Sequence, residues 1–340
     1  KKAALSIEAG TMVYFGEGAQ LEVRGRLTIS GDPDRLASLT TPPGTSHRWH
    51  GIRWIDSTQP NRLAHVNISS VASDTAAVQA ESSRLELSNV AFRDLLGTAI
   101  EFSNSALVTS ACSFEASTIE AGTAVPIVTG SGLAGDDHVV FRGNHFPATD
   151  RAAPVFVFDG QGQLGAWLEL RGNRFWGGPR EAVELSGCNS FLWENRFQNF
   201  RHPESPAKRT ATVSISGTSA GAWTSAVLAR NQLGQADVAV RLVGRVSLEA
   251  HNNRFSECAI SVAEFIGFPN DGRNGWVNNL FDRCTALFLP DTTGDVTHGL
   301  FAQTPFQPGE GNIEAIPAAA AGMGLLGGDI GPVGGRLLLA

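Results

Sequence analysis

The chain has 340 residues, of which 42% are apolar, enough for one long repeat array or for two average domains. Its formal net charge of −7 excludes a broad basic surface, so we expect no nucleic-acid partner. The sequence contains no apolar run of the roughly 18 residues that a membrane-spanning helix needs, so no membrane span is predicted.

Residues 1–62 are predicted to form the N-terminal coils of an all-β structure. Apolar residues alternate with polar ones in short runs, as at Leu5 and Ile7 and again at Leu27 and Ile29. This period of two is typical of strands. The segment 31–46 is rich in Pro, Asp and Thr and is interpreted as a loop.

From residue 63 onward a short motif, Asn-x-aromatic, recurs at the end of each apolar-alternating run. Its clearest copies are Asn144-His145-Phe146, Asn173-Arg174-Phe175, Asn195-Arg196-Phe197, Asn253-Arg254-Phe255 and Asn279-Leu280-Phe281. Weaker copies end at Phe92, Phe114 and Leu233. The shortest gap between copies is about 22 residues, and the longer gaps look like this period with a loop insertion.

A period of about 22 with strand residues, turns and no helical stretch predicts an all-β solenoid of roughly 11–12 coils. Equivalent strands of successive coils would stack about 4.8 Å apart. Phe would then stack on Phe inside the tube, and Asn would stack on Asn at a turn, where its side chain can bond to the next Asn and where a left-handed backbone is tolerated. Regular coils are predicted over 63–290. The pattern fades after Pro290, so 291–340 is interpreted as a C-terminal cap or tail with at most one further irregular coil.

These residues resemble the right-handed parallel β-helix proteins, the pectin-lyase-like superfamily. The resemblance is carried by the Asn-x-Phe ladder, by strands such as Ala182-Val183, and by residues 18–27 leading into Trp49-His50-Gly51-Ile52, and it covers 3–290. It implies a ligand site along one side of the solenoid between enlarged loops. It also implies an extracellular or cell-surface location of the bacterial secreted type. The activity stays open because the superfamily includes lyases, hydrolases, epimerases, adhesins and inert surface modules.

The longer gaps place most loop insertions at one corner of the solenoid, which we call the rim. The rim is predicted over 130–138, 159–167, 216–223 and 265–276. Its candidate ligand-binding residues are Asp159, Gln163, Trp167, Trp223, Asp271, Arg273 and Trp276. A row of tryptophans along a groove would stack on the apolar faces of sugar rings. The alternative is that these rings fill core gaps where loops leave the tube.

Asp136, Asp137 and His138 are the candidate catalytic residues of the rim. In the polygalacturonase branch of the superfamily, a Gly-Asp-Asp segment supplies the acid and base that cleave a glycosidic bond. Such chemistry needs two carboxylates on either side of that bond. The other motifs of that branch are missing here, and a solvated loop tip is the alternative interpretation.

A lyase would instead need a base and cations near the substrate carboxylate. Lys208, with Arg209 and His202 in a separate insertion, is a second candidate for that chemistry. No motif supports a Ca²⁺ site, and no cofactor is predicted.

The four cysteines are far apart and show no CxxC spacing, so no metal site is predicted. Cys258 and Cys284 each follow an aromatic position by three residues, so they should stack, and a reduced pair is favoured over a disulfide. Trp176 and Trp193 are interpreted as packing residues.

The sequence therefore predicts a secreted or cell-surface β-helix module that binds glycan or a protein partner along the rim, because no complete catalytic set is present. One alternative is a polysaccharide-degrading enzyme, a glycoside hydrolase or lyase, that uses Asp136 and Asp137. A second alternative is a structural module of a surface assembly, with oligomers formed through the open solenoid ends.

Overall fold

The computed structural model shows an all-β chain. It describes residues 3–115, 125–132, 138–162, 167–202, 209–218, 223–265, 274–288, 295–297, 299–304 and 311–315. Over these residues it contains 34 strands, β1 to β34, and no helix. No described segment is therefore a helix that could cross a membrane.

The strands stack in three parallel ladders, and the regular coils contribute one strand to each ladder in turn. Ladder 1 contains β1 (Ala4–Glu8), β4 (Arg26–Ser30), the first halves of β7 (Asn61–Val71) and β9 (Arg84–Leu95), β11 (Ala106–Ser110), β14 (His138–Arg142), β17 (Trp167–Arg171), β20 (Asn189–Trp193), β23 (Thr224–Ala229), β26 (Val246–His251), β29 (Gly275–Val277) and β32 (Asp295–Thr297).

Ladder 2 follows ladder 1 around a tight turn and joins it in one sheet. It contains β2 (Met12–Tyr14), β5 (Ala37–Thr40), the second halves of β7 and β9, β12 (Ser113–Phe114), β15 (His145–Phe146), β18 (Arg174–Gly178), β21 (Arg196–Phe200), β24 (Gln232–Gly234), β27 (Arg254–Ser256), β30 (Leu280–Asp282), β33 (Leu300–Ala302) and β34 (Ile313–Ala315).

Ladder 3 forms a separate sheet of 11 strands within the described residues. It contains β3 (Leu21–Val23), β6 (Ile52–Ile55), β8 (Val78–Glu81), β10 (Ile100–Ser103), β13 (Val128–Ser131), β16 (Phe156–Asp159), β19 (Val183–Ser186), β22 (Ala211–Ser216), β25 (Val238–Val243), β28 (Ile260–Phe265) and β31 (Ala286–Phe288). Together the ladders confirm the predicted all-β solenoid of parallel coils.

The core is a tube of stacked side chains, as the motif spacing predicts. Five phenylalanine rings stack continuously, with successive centroids 4.5 to 5.0 Å apart: Phe92, Phe114, Phe146, Phe175 and Phe197. Leu233 takes the next position, and the rings resume at 5.0 and 5.2 Å with Phe255, Phe281 and Phe301. Phe301 lies in β33, so the stack continues past residue 290.

A ladder of buried asparagines closes the turn between ladders 1 and 2. Its members are Asn144, Asn173, Asn195, Asn231, Asn253 and Asn279. The backbone N–H and the Nδ2 of each of the first five donate to the Oδ1 of the next, at 2.9 to 3.0 Å. The predicted Asn-to-Asn bonding is therefore confirmed.

The left-handed backbone that the turn tolerates lies at the residue before each ladder asparagine, and not at the asparagine itself. These preceding residues all have φ between 55° and 63°: Gly143, Gly172, Glu194, Arg230, Asn252 and Asn278. The asparagine side chain must point inward to join the ladder, so the chain reverses one residue earlier, where the side chain is free to point outward.

Two further features bear on the sequence predictions. The loop predicted over 31–46 includes β5, whose Ala37 and Leu39 are fully buried. β5 has only four residues and lies between proline-containing segments, so the sequence shows too little alternation there to predict a strand. Cys258 and Cys284 are buried free thiols in adjacent coils, consistent with the reduced stacked pair that the sequence favours.

Candidate functional site

A candidate surface site lies on the outer face of ladder 1, over β14, β17 and β20. Strand alternation buries Phe141, Leu170 and Leu192 at equivalent positions and turns their neighbours outward. The outward residues form three rows across these strands: His138 with Trp167 and Asn189, Val140 with Glu169 and Phe191, and Arg142 with Arg171 and Trp193.

These rows enclose a groove with a volume of ≈ 450 Å³. This volume lies within the range of about 300–1,000 Å³ that small-ligand sites occupy. We call it the aromatic groove, and its lining residues are His138, Val139, Val140, Arg142, Trp167, Leu168, Glu169, Arg171, Phe191 and Trp193.

Trp167 supplies the main apolar surface of the groove. Its side chain is 40% exposed although it is among the largest apolar groups in the chain. Phe191 of the following coil stacks on one face of the indole, with ring centroids 5.0 Å apart and planes 12° from parallel. Its register neighbour in the preceding coil is His138, which also lines the groove. An indole that is partly exposed and held in place by a stacked ring suits the apolar face of a sugar ring.

Trp193 lies between two guanidinium groups. Arg171 from the preceding coil lies 5.5 Å from the ring centroid, and Arg230 from the following coil lies 5.8 Å from it. Both arginines also pair with Glu194, at 3.6 and 3.8 Å. Each cation–π contact at an exposed position contributes about 0.5–1 kcal/mol, so together they fix the orientation of the ring at the end of the groove.

Arg142 and Glu169 form a polar wall of the groove. Two contacts join them, Nε to Oε1 at 3.3 Å and Nη2 to Oε2 at 3.4 Å. The arginine side chain is 54% exposed, so the pair is worth little to stability and is free to exchange partners with a ligand. The wall therefore offers planar donors and acceptors for hydroxyl or carboxylate groups.

The structure brings two of the predicted site residues together, because His138 and Trp167 both line the aromatic groove. Five others lie outside the described residues: Asp136, Asp137, Gln163, Asp271 and Arg273. The candidate catalytic pair of carboxylates thus has no described geometry, although His138 follows it directly in the chain.

The remaining three predicted residues do not join the groove. Asp159 Oδ1 accepts hydrogen bonds from Gln161 N at 2.9 Å and Ser186 Oγ at 3.0 Å, so it holds the turn after β16. Trp223 is 45% exposed just before β23 but is not part of the groove lining. Trp276 is 1% exposed and packs edge-on against Phe255, which places it in the core and away from any surface ligand.

Sequence reasoning missed most of the groove. Trp193, interpreted as a packing residue, is instead 37% exposed, so that interpretation is wrong. The repeat could have shown that Trp193 points outward. Leu170 and Leu192 are core residues, and each lies five positions before the ladder phenylalanine, Phe175 or Phe197. Trp193 lies four positions before Phe197, so strand alternation turns its side chain to the opposite, outer face.

A second polar cluster lies beside β19 of ladder 3. Glu181 is 7% exposed and accepts from Arg180 at 3.3 Å and from Arg241 at 3.2 Å. Burial, together with the charge of Glu181, raises the pKa of Glu184. The charged groups of this cluster pair with one another within the protein, so we interpret the cluster as stabilising the fold and not as a binding site. Across the described ranges, no group of three or more His, Cys, Asp or Glu side chains is placed to hold a metal ion.

Comparison with known proteins gives structural similarity without sequence similarity. No protein-family model and no curated protein sequence matches the chain. A crystal structure of PfbA, a surface adhesin of Streptococcus pneumoniae, is 11% identical, with a TM-score of 0.48 over 88% of this chain and 81% of that one. The PL6 family polysaccharide lyase Pedsa3628 from Pseudopedobacter saltans is 12% identical, with a TM-score of 0.45 over 89% and 84%.

The fold assignment rests on this chain's own architecture. Three ladders of parallel strands, a phenylalanine stack inside and an asparagine ladder at one turn are all present. The chain therefore has a parallel β-helix fold.

Proposed function

We propose that the chain is a glycan-binding β-helix module and that the aromatic groove is its binding site. The observation that carries this proposal is the exposed indole of Trp167, which stacks on Phe191 and lines the same groove as the Arg142–Glu169 pair. A sugar ring presents an apolar face ringed by hydroxyl groups. An aromatic face beside charged planar groups matches both parts of that pattern.

Calorimetric titration of a Trp167→Ala variant tests the proposal, with the strongest binder from a glycan array as the titrant. Losing the central aromatic anchor is expected to weaken binding at least tenfold, because such anchors contribute about 2 kcal/mol or more. Wild-type affinity in that variant would contradict the proposal.

Trp223→Ala is the matched control, because Trp223 is a tryptophan of similar exposure, 45% against 40%, that does not line the groove. We expect it to bind as the wild type does. If Trp223→Ala loses binding and Trp167→Ala keeps it, the site lies on the rim and not in the groove.

A catalytic function is the second candidate, because His138 lines the groove and directly follows Asp136 and Asp137 in the chain. The bound glycan should be incubated with the protein, and new reducing ends and the absorbance of unsaturated products should be followed. Turnover that disappears in the Asp137→Asn variant would show that the chain cleaves polysaccharide and does not only bind it. Stable binding without products supports the binding module.

A further inference from the structure

The interior of the tube contains two neighbouring thiols that the proposed function does not use. Cys258 and Cys284 are 1% and 2% exposed, and both are free. Each comes three residues after a ladder phenylalanine, Phe255 or Phe281, and these two residues are paired between β27 and β30. The two cysteines therefore occupy equivalent positions in adjacent coils, although they are too far apart in the sequence to form a recognisable metal-binding motif.

Backbone hydrogen bonds keep the two coils in register on both sides of the thiols. Before them, Glu257 N donates to Asp282 O at 2.9 Å. After them, Thr285 N donates to Cys258 O at 3.0 Å. The α-carbons of Cys258 and Cys284 are thus held about one coil rise apart, about 4.8 Å.

Both sulfur atoms take the same position within their own coil. Cys258 Sγ lies 3.5 Å from Ser256 O in its own coil and 3.7 Å from Leu233 O in the preceding one. Cys284 Sγ makes the equivalent contacts one coil further on, at 3.7 and 3.6 Å. Because the two side chains have the same orientation, the sulfur atoms are separated by about the coil rise, about 4–5 Å, and the two thiols interact directly.

The pair of sulfur atoms is bounded by residues that are not thiols. The equivalent residue in the preceding coil is Ala236, and in the following coil it is Thr304, whose Oγ1 accepts from Cys284 N at 2.9 Å. The carboxylate of the neighbouring Asp282 is already paired with two arginines, at 3.0 and 3.4 Å. Among the described residues, no third His, Cys, Asp or Glu is placed to share a metal ion with the pair. An ion bound here would have two protein ligands, both of them thiolates.

One further polar group lies beside the pair. Ser261 is fully buried, and its hydroxyl is close to the Cys284 thiol. Within the described part of the chain, that hydroxyl makes no hydrogen bond of normal geometry. A buried hydroxyl without a partner lowers stability, and a thiolate at Cys284 would accept its hydrogen bond. The surroundings of the pair therefore favour a negatively charged sulfur.

We propose that Cys258 and Cys284 form a two-coordinate site for a soft monovalent ion, Cu(I). Thiolates are the ligands that select Cu(I) over harder ions. A bond from a thiolate to zinc, which is also a d¹⁰ ion, is about 2.3 Å long, so two such bonds in line span about 4.6 Å, close to the separation of the two sulfur atoms. A structural zinc site needs four ligands, which this pair does not supply. Binding releases the two thiol protons. The site is independent of the proposed glycan-binding function.

Uptake of copper under anaerobic, reducing conditions tests the proposal. Because both thiols are buried, the ion enters as the coils fold or open, so the full chain is refolded from urea with Cu(I) supplied as its bicinchoninate complex. A sample of the native chain is incubated with the same complex, so that the result does not depend on refolding alone. The absorbance of the complex measures the transfer, and X-ray absorption counts the sulfur ligands. We expect about one Cu(I) per chain, two sulfur ligands and a higher urea midpoint than for the metal-free chain.

Cysteine variants locate the bound ion. Cys258→Ser and Cys284→Ser are each expected to weaken uptake by about tenfold or more, because even a residue that only orients a metal ligand contributes about that much. The Cys112→Ser, Cys188→Ser double variant is the matched control. Those thiols are also buried, at 1% and 3% exposed, but lie in other coils, so full uptake is expected. Circular dichroism shows whether each variant is folded, and Cys258→Ala replaces Cys258→Ser if the serine variant is not.

The outcomes are distinct. No uptake, uptake unchanged in both single variants, or uptake lost in the double variant would each overturn the site. A Cys258–Cys284 disulfide found by mass spectrometry in the purified chain would overturn it as well, because the pair would then link the two coils covalently. One Cu(I) held by two sulfur ligands, and lost only in the single variants, supports the site.

Discussion

Asn195→Ala removes one rung from the middle of the asparagine ladder. Asn195 is 1% exposed, and its Oδ1 accepts from the backbone N–H and from the Nδ2 of Asn173, each at 3.0 Å. Its Nδ2 donates to Leu170 O at 2.7 Å and to Asn231 Oδ1 at 3.0 Å. The alanine variant loses all four bonds without admitting a partner from solvent.

The free energy lost follows from the groups left behind. The backbone N–H of Asn173 loses its acceptor inside the protein, and an unsatisfied buried group costs about 1–3 kcal/mol. Asn173 Nδ2 keeps its bond to Phe141 O at 2.9 Å, so it loses one of two partners. Adding about 1 kcal/mol for each of the other three hydrogen bonds lost gives an expected decrease of about 4–6 kcal/mol in the free energy of unfolding.

Equilibrium unfolding in urea, followed by circular dichroism, measures this decrease. Asn189→Ala is the matched control, because Asn189 lies in the same coil with its side chain on the outer face. A surface substitution of that kind is expected to change stability by less than about 0.5 kcal/mol. A decrease below about 1 kcal/mol for Asn195→Ala, or equal decreases for the two variants, would refute the reasoning.

Further predictions concern the core. A Cβ at Gly130 would lie 2.0 Å from the ring of Phe102, which extends past this glycine to stack on Phe158. Gly130→Ala is therefore expected to lower the free energy of unfolding in urea by about 1–3 kcal/mol. Gly16→Ala, with open space around the added Cβ, should lower it far less. Burial raises the pKa of Cys112 to about 11 and that of Cys188 to about 12, so native iodoacetamide labelling of both should stay low from pH 7 to 9. Labelling of either that rises steeply near pH 8 would contradict this. Because folding raises these pKa values, the unfolded chain loses the thiol protons at lower pH than the folded protein does. The free energy of unfolding should therefore fall as the pH rises from about 9 toward 11.

The interior of the solenoid could be predicted from the sequence because it repeats. Phe175 and Phe197 occupy equivalent positions 22 residues apart, as do Asn173 and Asn195. The spacing alone therefore predicts that each pair stacks. The turn was harder, since Gly143 and Glu194 both adopt the left-handed conformation and share no side-chain chemistry.

The groove could be predicted only in part, because it depends on which face a side chain takes. Trp276 and Trp193 are assigned to the wrong sides of the tube when each is judged by its loop or its apolar neighbours. Counting back from the aromatic position corrects both: Trp276, five before Phe281, points inward, and Trp193, four before Phe197, points outward. The stacking of Phe191 on Trp167 joins different rows of adjacent coils, so no repeat position reveals it.

The most direct test of the binding site is a crystal structure of the chain in complex with its best-bound oligosaccharide. We expect a sugar ring stacked on Trp167, with Arg142 or Glu169 hydrogen-bonded to it. A glycan bound elsewhere, with the Trp167 face empty, would contradict the account.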